Sequence, residues 1–133
     1  MRHYCTVCGK IHNGRCSRRE AAQRSIRIRN RNAAADKFRS TQAWKRKAAA
    51  ILERDFHCCR VCLAAGILTN RDLSVHHIIP LNADFDKRLD DDNLITLCRF
   101  HHEQAERGAI SKRELLNLAS SPPYHLKIFS EVK

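Results

Sequence analysis

Val75-His76-His77-Ile78-Ile79-Pro80 sets two adjacent imidazoles at the end of an apolar, β-branched run. From Leu73 to Ile79 the pattern reads as a strand that stops at Pro80. Adjacent residues of a regular strand point to opposite faces. Two neighbouring imidazoles serving one site therefore require a bend or twist there, or one of them working from the rim. Downstream, Asp90-Asp91-Asp92-Asn93 leads into Leu94 to Leu97, a second short strand or extended turn. Phe100 to Arg107 then reads as a helix that stops at Gly108. The pattern is of class α+β, with a small two-strand and one-helix centre.

Two pairs of metal-ligand residues bracket this centre. Cys59-Arg60-Val61-Cys62 is a C-x-x-C turn, whose two thiolates can face one zinc ion. Cys98-Arg99-Phe100-His101 supplies the matching pair, giving a closed Cys59, Cys62, Cys98, His101 site of the structural kind. Cys58 is the alternative to Cys59, and the tight-turn spacing favours Cys59. A second, shorter cluster lies at the N-terminus, where Cys5-Thr6-Val7-Cys8-Gly9 is followed by His12 and Cys16. It is a zinc-knuckle-like segment, with His3 as the alternative to His12.

Seven cysteines and eight histidines are many for 133 residues and 15.3 kDa. An odd cysteine count and an N-terminus without an apolar signal stretch argue for a cytoplasmic chain whose cysteines bind metal. No apolar run is long enough to span a membrane. The length allows one ordinary domain and a small appendage.

Lys and Arg number 25 against 14 Asp and Glu, a net charge of +11, and 43% of residues are apolar. That apolar share excludes a disordered polyelectrolyte. Residues 1–60 hold sixteen of the cations and four of the carboxylates, so the excess sits in the N-terminal half. Arg18, Arg19, Arg24, Arg27 and Arg29 form its densest part, a block that attracts nucleic acid. Charge alone does not separate DNA from RNA.

Four stretches follow: a zinc-knuckle-like segment over 1–16, a basic, helix-capable arm or linker over 17–35 with little to bury, a folded core over 36–118 and a tail over 119–133. Ser40 is the expected N-cap of a helix running to about Arg54. Trp44, Ala48, Ile51 and Leu52 share its apolar face, while Lys45, Arg46 and Lys47 lie largely on the other and are added to the nucleic-acid-binding candidates. Ser111, with Glu114 in the capping-box position, starts a helix to Leu118. Ser120-Ser121-Pro122-Pro123 stops it, and an extended tail follows from Tyr124 to Phe129.

In the order His77, Asn93, His102, set among the zinc pairs, the chain resembles the HNH nuclease family, which has the ββα-metal fold. The resemblance covers residues 38–107 and is closest to small phage-encoded members. It is carried by Phe38, Trp44, Leu52-Glu53-Arg54-Asp55, Cys59-x-x-Cys62, Gly66, Val75 to Pro80, Arg88-Leu89-Asp90, Asp92-Asn93-Leu94 and Leu97-Cys98 with His102. It implies a zinc-supported ββα-metal core with flanking helices and metal-dependent hydrolysis of DNA phosphodiester bonds.

The resemblance also implies roles. His77 matches the general base, an imidazole able to take a proton from water near neutral pH. Asn93 matches the residue that orients it, by hydrogen bonding the ring. His76 and His102 match the ligands of one divalent cation, for which Mg, Mn, Ni and Zn all qualify. Helical spacing adds Glu106, four residues after His102 on the same face, as a third ligand, a partner of a ligand, or a solvated surface carboxylate. A zinc-supported nucleic-acid-binding module without catalysis is the alternative, and RNA is the alternative substrate. A phage-encoded chain would act in the host cytoplasm, with packaging proteins as partners. The sequence carries no reading of oligomeric state.

Overall fold

The computed structural model describes residues 1–123; the tail expected from Tyr124 to Phe129 lies outside the described residues. The chain divides into two compact units, Met1–Phe38 and Arg39–Lys133.

In the first unit, β1 (His3–Tyr4) and β2 (Ile11–His12) form a two-stranded antiparallel hairpin, with His3 opposite His12. The turn between them is closed by the Gly9 amide on the Cys5 carbonyl at 2.8 Å. Gly9 has φ +68°, a conformation that costs a residue with Cβ. The hairpin leads into α1 (Ser17–Arg39). The arm expected over 17–35 is thus a helix that continues to Arg39, past the boundary read from composition. It has no apolar face, and its only buried residues are Ala35 and Phe38. Alanines and arginines favour the helical backbone, which explains how a segment with so little to bury is still helical.

The second unit opens with α2 (Gln42–Arg54). Thr41, not Ser40, is its N-cap, because the Thr41 Oγ1 accepts from the Trp44 amide at 3.2 Å. A short helix, α3 (Arg60–Ala64), grows out of the C-x-x-C turn. Strands β3 (Leu73–His77) and β4 (Leu94–Cys98) pair antiparallel, with His76 opposite Ile95 and His77 opposite Leu94. Every residue of β4 is buried. Two 3-10 turns, Phe85–Leu89 and Asp91–Asn93, fill the connection. Helix α4 (Arg99–Glu106) follows β4 directly and ends at Gly108, which has φ +76°. Helix α5 (Lys112–Ser120) is capped as expected, with Ser111 Oγ accepting from the Glu114 amide at 3.2 Å.

The core of this unit joins Ile78, Ile95, Leu97, Ile110 and Leu115 to Cys59, Cys62 and Cys98. Beside it lies a polar knot centred on Asp55, which is 0% exposed. Its carboxylate accepts from Arg54 at 2.8 and 3.0 Å, from Arg60 Nη1 at 2.9 Å and from the Thr96 amide at 2.9 Å. Arg60, 3% exposed, also donates to the carbonyls of Leu118 and Ser121. The carboxylate therefore ties the end of α2 to α3 and β4, and Arg60 carries the tie on to the end of α5. Removing it leaves a buried guanidinium without its counter-charge. We expect Asp55→Ala to lower stability by about 3–5 kcal/mol, read from urea unfolding of the zinc-loaded chain. A loss below about 1 kcal/mol would mean that the knot is replaceable.

Candidate active site and metal centres

Strand β3 delivers both histidines, and its pairing with β4 runs on regularly through His77. The bend allowed for at this point is absent, and the side chains meet different neighbours. His76 packs edge-on against His102 of α4, with ring centroids 4.9 Å apart. His77 stacks on Trp44 of α2 at 4.6 Å and 26°. Trp44 therefore covers the base candidate, a contact that its place on the apolar face of α2 did not reveal.

His77 Nε2 lies 3.0 Å from the carbonyl oxygen of Arg88. A carbonyl can only accept, so Nε2 carries the proton and Nδ1 is the basic nitrogen. Burial lowers the His77 pKa from 6.5, against the raising effect of the Arg88 carbonyl, and the charge of Arg39 lowers it further. The ring is thus neutral at neutral pH.

Asn93 acts one step further back than expected. Its Oδ1 accepts from the Ile79 amide at 2.7 Å, and its Nδ2 donates to the carbonyls of Ile79 and Lys87, each at 3.2 Å. None of these bonds goes to His77. The Asn93 side chain instead fixes the loop at Lys87, the residue before the carbonyl that holds the imidazole.

His76, His102 and Glu106 bring one ligand atom each to within 4.8 Å of one another. His102 Nε2 is 3.4 Å from Glu106 Oε1, one helical turn on. Ser74 Oγ lies 3.1 Å from His102 Nδ1 and fixes that ring with Nε2 toward the cluster. Burial, then His102, then His77 lower the His76 pKa to about 4, so its lone pair is available at neutral pH. Two imidazoles and an exposed carboxylate suit a divalent cation that keeps open positions. Ser74 was missed in the sequence, although strand alternation places it on the same face as His76.

The closed cluster forms as the spacing implied. His101 Nδ1 lies 3.4 Å from Cys59 Sγ and 3.3 Å from both Cys62 Sγ and Cys98 Sγ, and the last two sulfurs are 4.0 Å apart. Zn–S and Zn–N bonds of about 2.3 and 2.0 Å in a tetrahedron give edges of roughly 3.5–3.8 Å, so the donors fit zinc. Cys58 is outside this set. Burial pushes the Cys59 thiol up to about 12, a cost that a bound cation would offset. In the first unit Cys5, Cys8, His12 and Cys16 converge in the same manner, with Cys8 Sγ 2.8 Å from His12 Nε2. Hydrogen bonds from the amides of Cys8 and Val7 hold the Cys5 pKa down to about 7, favouring its thiolate. His3 is not part of that set.

The model of the HNH endonuclease family matches residues 59–107, the span from the first zinc pair to the end of α4. The fold is also similar to the crystal structure of the HNH endonuclease of the deep-sea thermophilic bacteriophage GVE2 with a manganese ion. That likeness has a TM-score of 0.57 and 37% identity over 61% of this chain and 87% of that one. The chain belongs to the HNH endonuclease family. No match was found among curated proteins.

The basic residues of this HNH chain are distributed unevenly. Arg18, Arg19, Arg24, Arg27 and Arg29 all lie exposed on α1, and Lys45 and Arg46 are exposed on α2. Lys47 is engaged within its own unit, with Nζ 2.7 Å from Asp91 Oδ1. No helix among the described residues is long and apolar enough to cross a membrane.

Proposed function

We propose that the protein is a metal-dependent endonuclease that hydrolyses DNA phosphodiester bonds, nicking or cutting the duplex. The observation that carries this is the His77 imidazole, whose Nε2 is committed to the Arg88 carbonyl, on the strand that also presents His76 to His102 and Glu106. His77 Nδ1 takes the proton from the attacking water. Trp44 and the Arg88 carbonyl hold the ring, and Asn93 holds the loop that carries the carbonyl. His76, His102 and Glu106 hold one divalent cation, which would screen the phosphate charge and stabilise the leaving oxygen. Cys59, Cys62, Cys98 and His101 would hold a zinc ion that supports the core, and Cys5, Cys8, His12 and Cys16 would hold a second.

The test is supercoiled plasmid incubated with the purified zinc-loaded chain, with and without added Mg, Mn or Ni. Nicked or linear product should require the added cation. No product with any of them would return the chain to the reading of a zinc-supported binding module. Ser74 provides a finer check. Because it orients His102, Ser74→Ala should raise the half-maximal concentration of the activating cation about 10–100-fold, with activity recovering at saturation. An unchanged metal titration would remove Ser74 from the site.

A further inference from the structure

The first unit carries a cleft of about 830 Å³ between its hairpin and the first turns of α1. Arg15, Arg19, Arg24 and Arg27 line it against a single carboxylate, Glu20, and Tyr4 stands at its wall. Among the described residues none of these four arginines is hydrogen-bonded or ion-paired to a carboxylate, and Tyr4 is 66% exposed. From Ser17 to Ala34 no residue of α1 is buried. Such a helix has surplus charge and an uncovered length, both of which a polyanion would satisfy.

At 3.6 residues per turn, Arg19, Arg24 and Arg27 fall on one side of α1, while Arg18 and Arg29 fall on the other. The basic block is therefore two faces, and only one forms a concave surface with an aromatic ring. A groove of cations beside a stacking platform is the arrangement that suits an unpaired strand. Its volume lies within the roughly 300–1,000 Å³ of a small-ligand site. That suits a few unpaired nucleotides and is far too small for a duplex.

We infer that this cleft binds a single DNA strand, with phosphates on Arg19, Arg24 and Arg27 and a base stacked on Tyr4. It is a second nucleic-acid site, built by the hairpin and α1 and independent of the histidine cluster in the other unit. Cys5 and Cys16 of the four-donor cluster are among its lining residues, so a metal closing the knuckle would also shape the cleft.

The experiment measures fluorescence anisotropy of a labelled oligothymidylate strand with full-length, zinc-loaded protein. All variants are made in a His77→Ala background without added divalent cation, so binding is read apart from cleavage and its failure is distinct from failure of the nuclease reading. Two arginine pairs of equal charge are compared. Arg24→Gln/Arg27→Gln should weaken binding about 10-fold or more at low salt and flatten the log–log salt slope by about 0.7 per lost phosphate contact. Arg18→Gln/Arg29→Gln should weaken it about 3-fold at most, through the general field. Tyr4→Ala should cost about 10-fold, and Tyr4→Phe should restore it. Metal analysis of each variant confirms that the knuckle is intact. Equal losses from the two arginine pairs would mean diffuse attraction and overturn the inference. A silent Tyr4→Ala would do the same, as would pair-dependent binding seen only with duplex DNA or only with RNA.

Discussion

His77→Ala should reduce plasmid cleavage at saturating metal by about 10³-fold while leaving DNA affinity and zinc content unchanged. Loss of a positioned general base typically costs 10²–10⁴-fold. The upper part of that range is expected here because the adjacent imidazole, His76, is not placed to replace it. His76 is directed toward His102, and its pKa of about 4 makes it a poor proton acceptor at neutral pH. The wild-type pH profile gives a second readout. Burial lowers the His77 pKa from 6.5, and below its pKa the ring is protonated and cannot accept a proton. The acid limb of the rate profile should therefore lie below pH 6.5. It should be missing from whatever activity His77→Ala retains. Cleavage within about 10-fold of wild type, with the same acid limb, would assign the base to another residue.

Much of the ββα centre was legible because each element had a local cause. Alternation and β-branching marked β3, Gly108 marked the end of α4, and Ser111 with Glu114 marked the start of α5. The convergence of Cys59, Cys62, Cys98 and His101 was legible because a tight turn permits few spacings. What the sequence concealed was of a different kind. The group that holds His77 is the main-chain carbonyl of Arg88, which any residue at that position would offer. The targets of Asn93 are also main-chain groups, so its amide could not be assigned to the loop in place of the ring. Asp55 stood within a recognised motif, yet its role depends on Arg60 and Thr96, five and forty-one residues away. α1 could be read only as a helix-capable arm or linker, because firm helix readings rely on an apolar stripe, and this helix has none.

Removal of the core zinc should unfold the second unit outright. Three of the nine residues in its buried core are Cys59, Cys62 and Cys98, and each contributes a ligand atom together with apolar packing. These sulfurs and His101 Nδ1 lie within 4.8 Å of one another, a gathering of donors that a bound cation would hold together. Structural zinc contributes roughly 10–16 kcal/mol at pH 7 in small domains. Net stabilities run only to about 5–15 kcal/mol. The metal is thus comparable to the whole margin by which such a unit stays folded. Cys98→Ser, or chelation of the wild type, should abolish the cooperative unfolding transition and all cleavage. Cys5→Ser should behave differently, losing one of two bound zinc ions by metal analysis and keeping the transition of the second unit. Acid should mimic chelation, because the thiolates must be deprotonated to bind and the buried Cys59 takes up a proton readily once the cation no longer opposes it. A Cys98→Ser chain that still melts cooperatively near the wild-type midpoint would show that the apolar residues suffice. Ile78, Ile95, Leu97, Ile110 and Leu115 would then be the real basis of the fold.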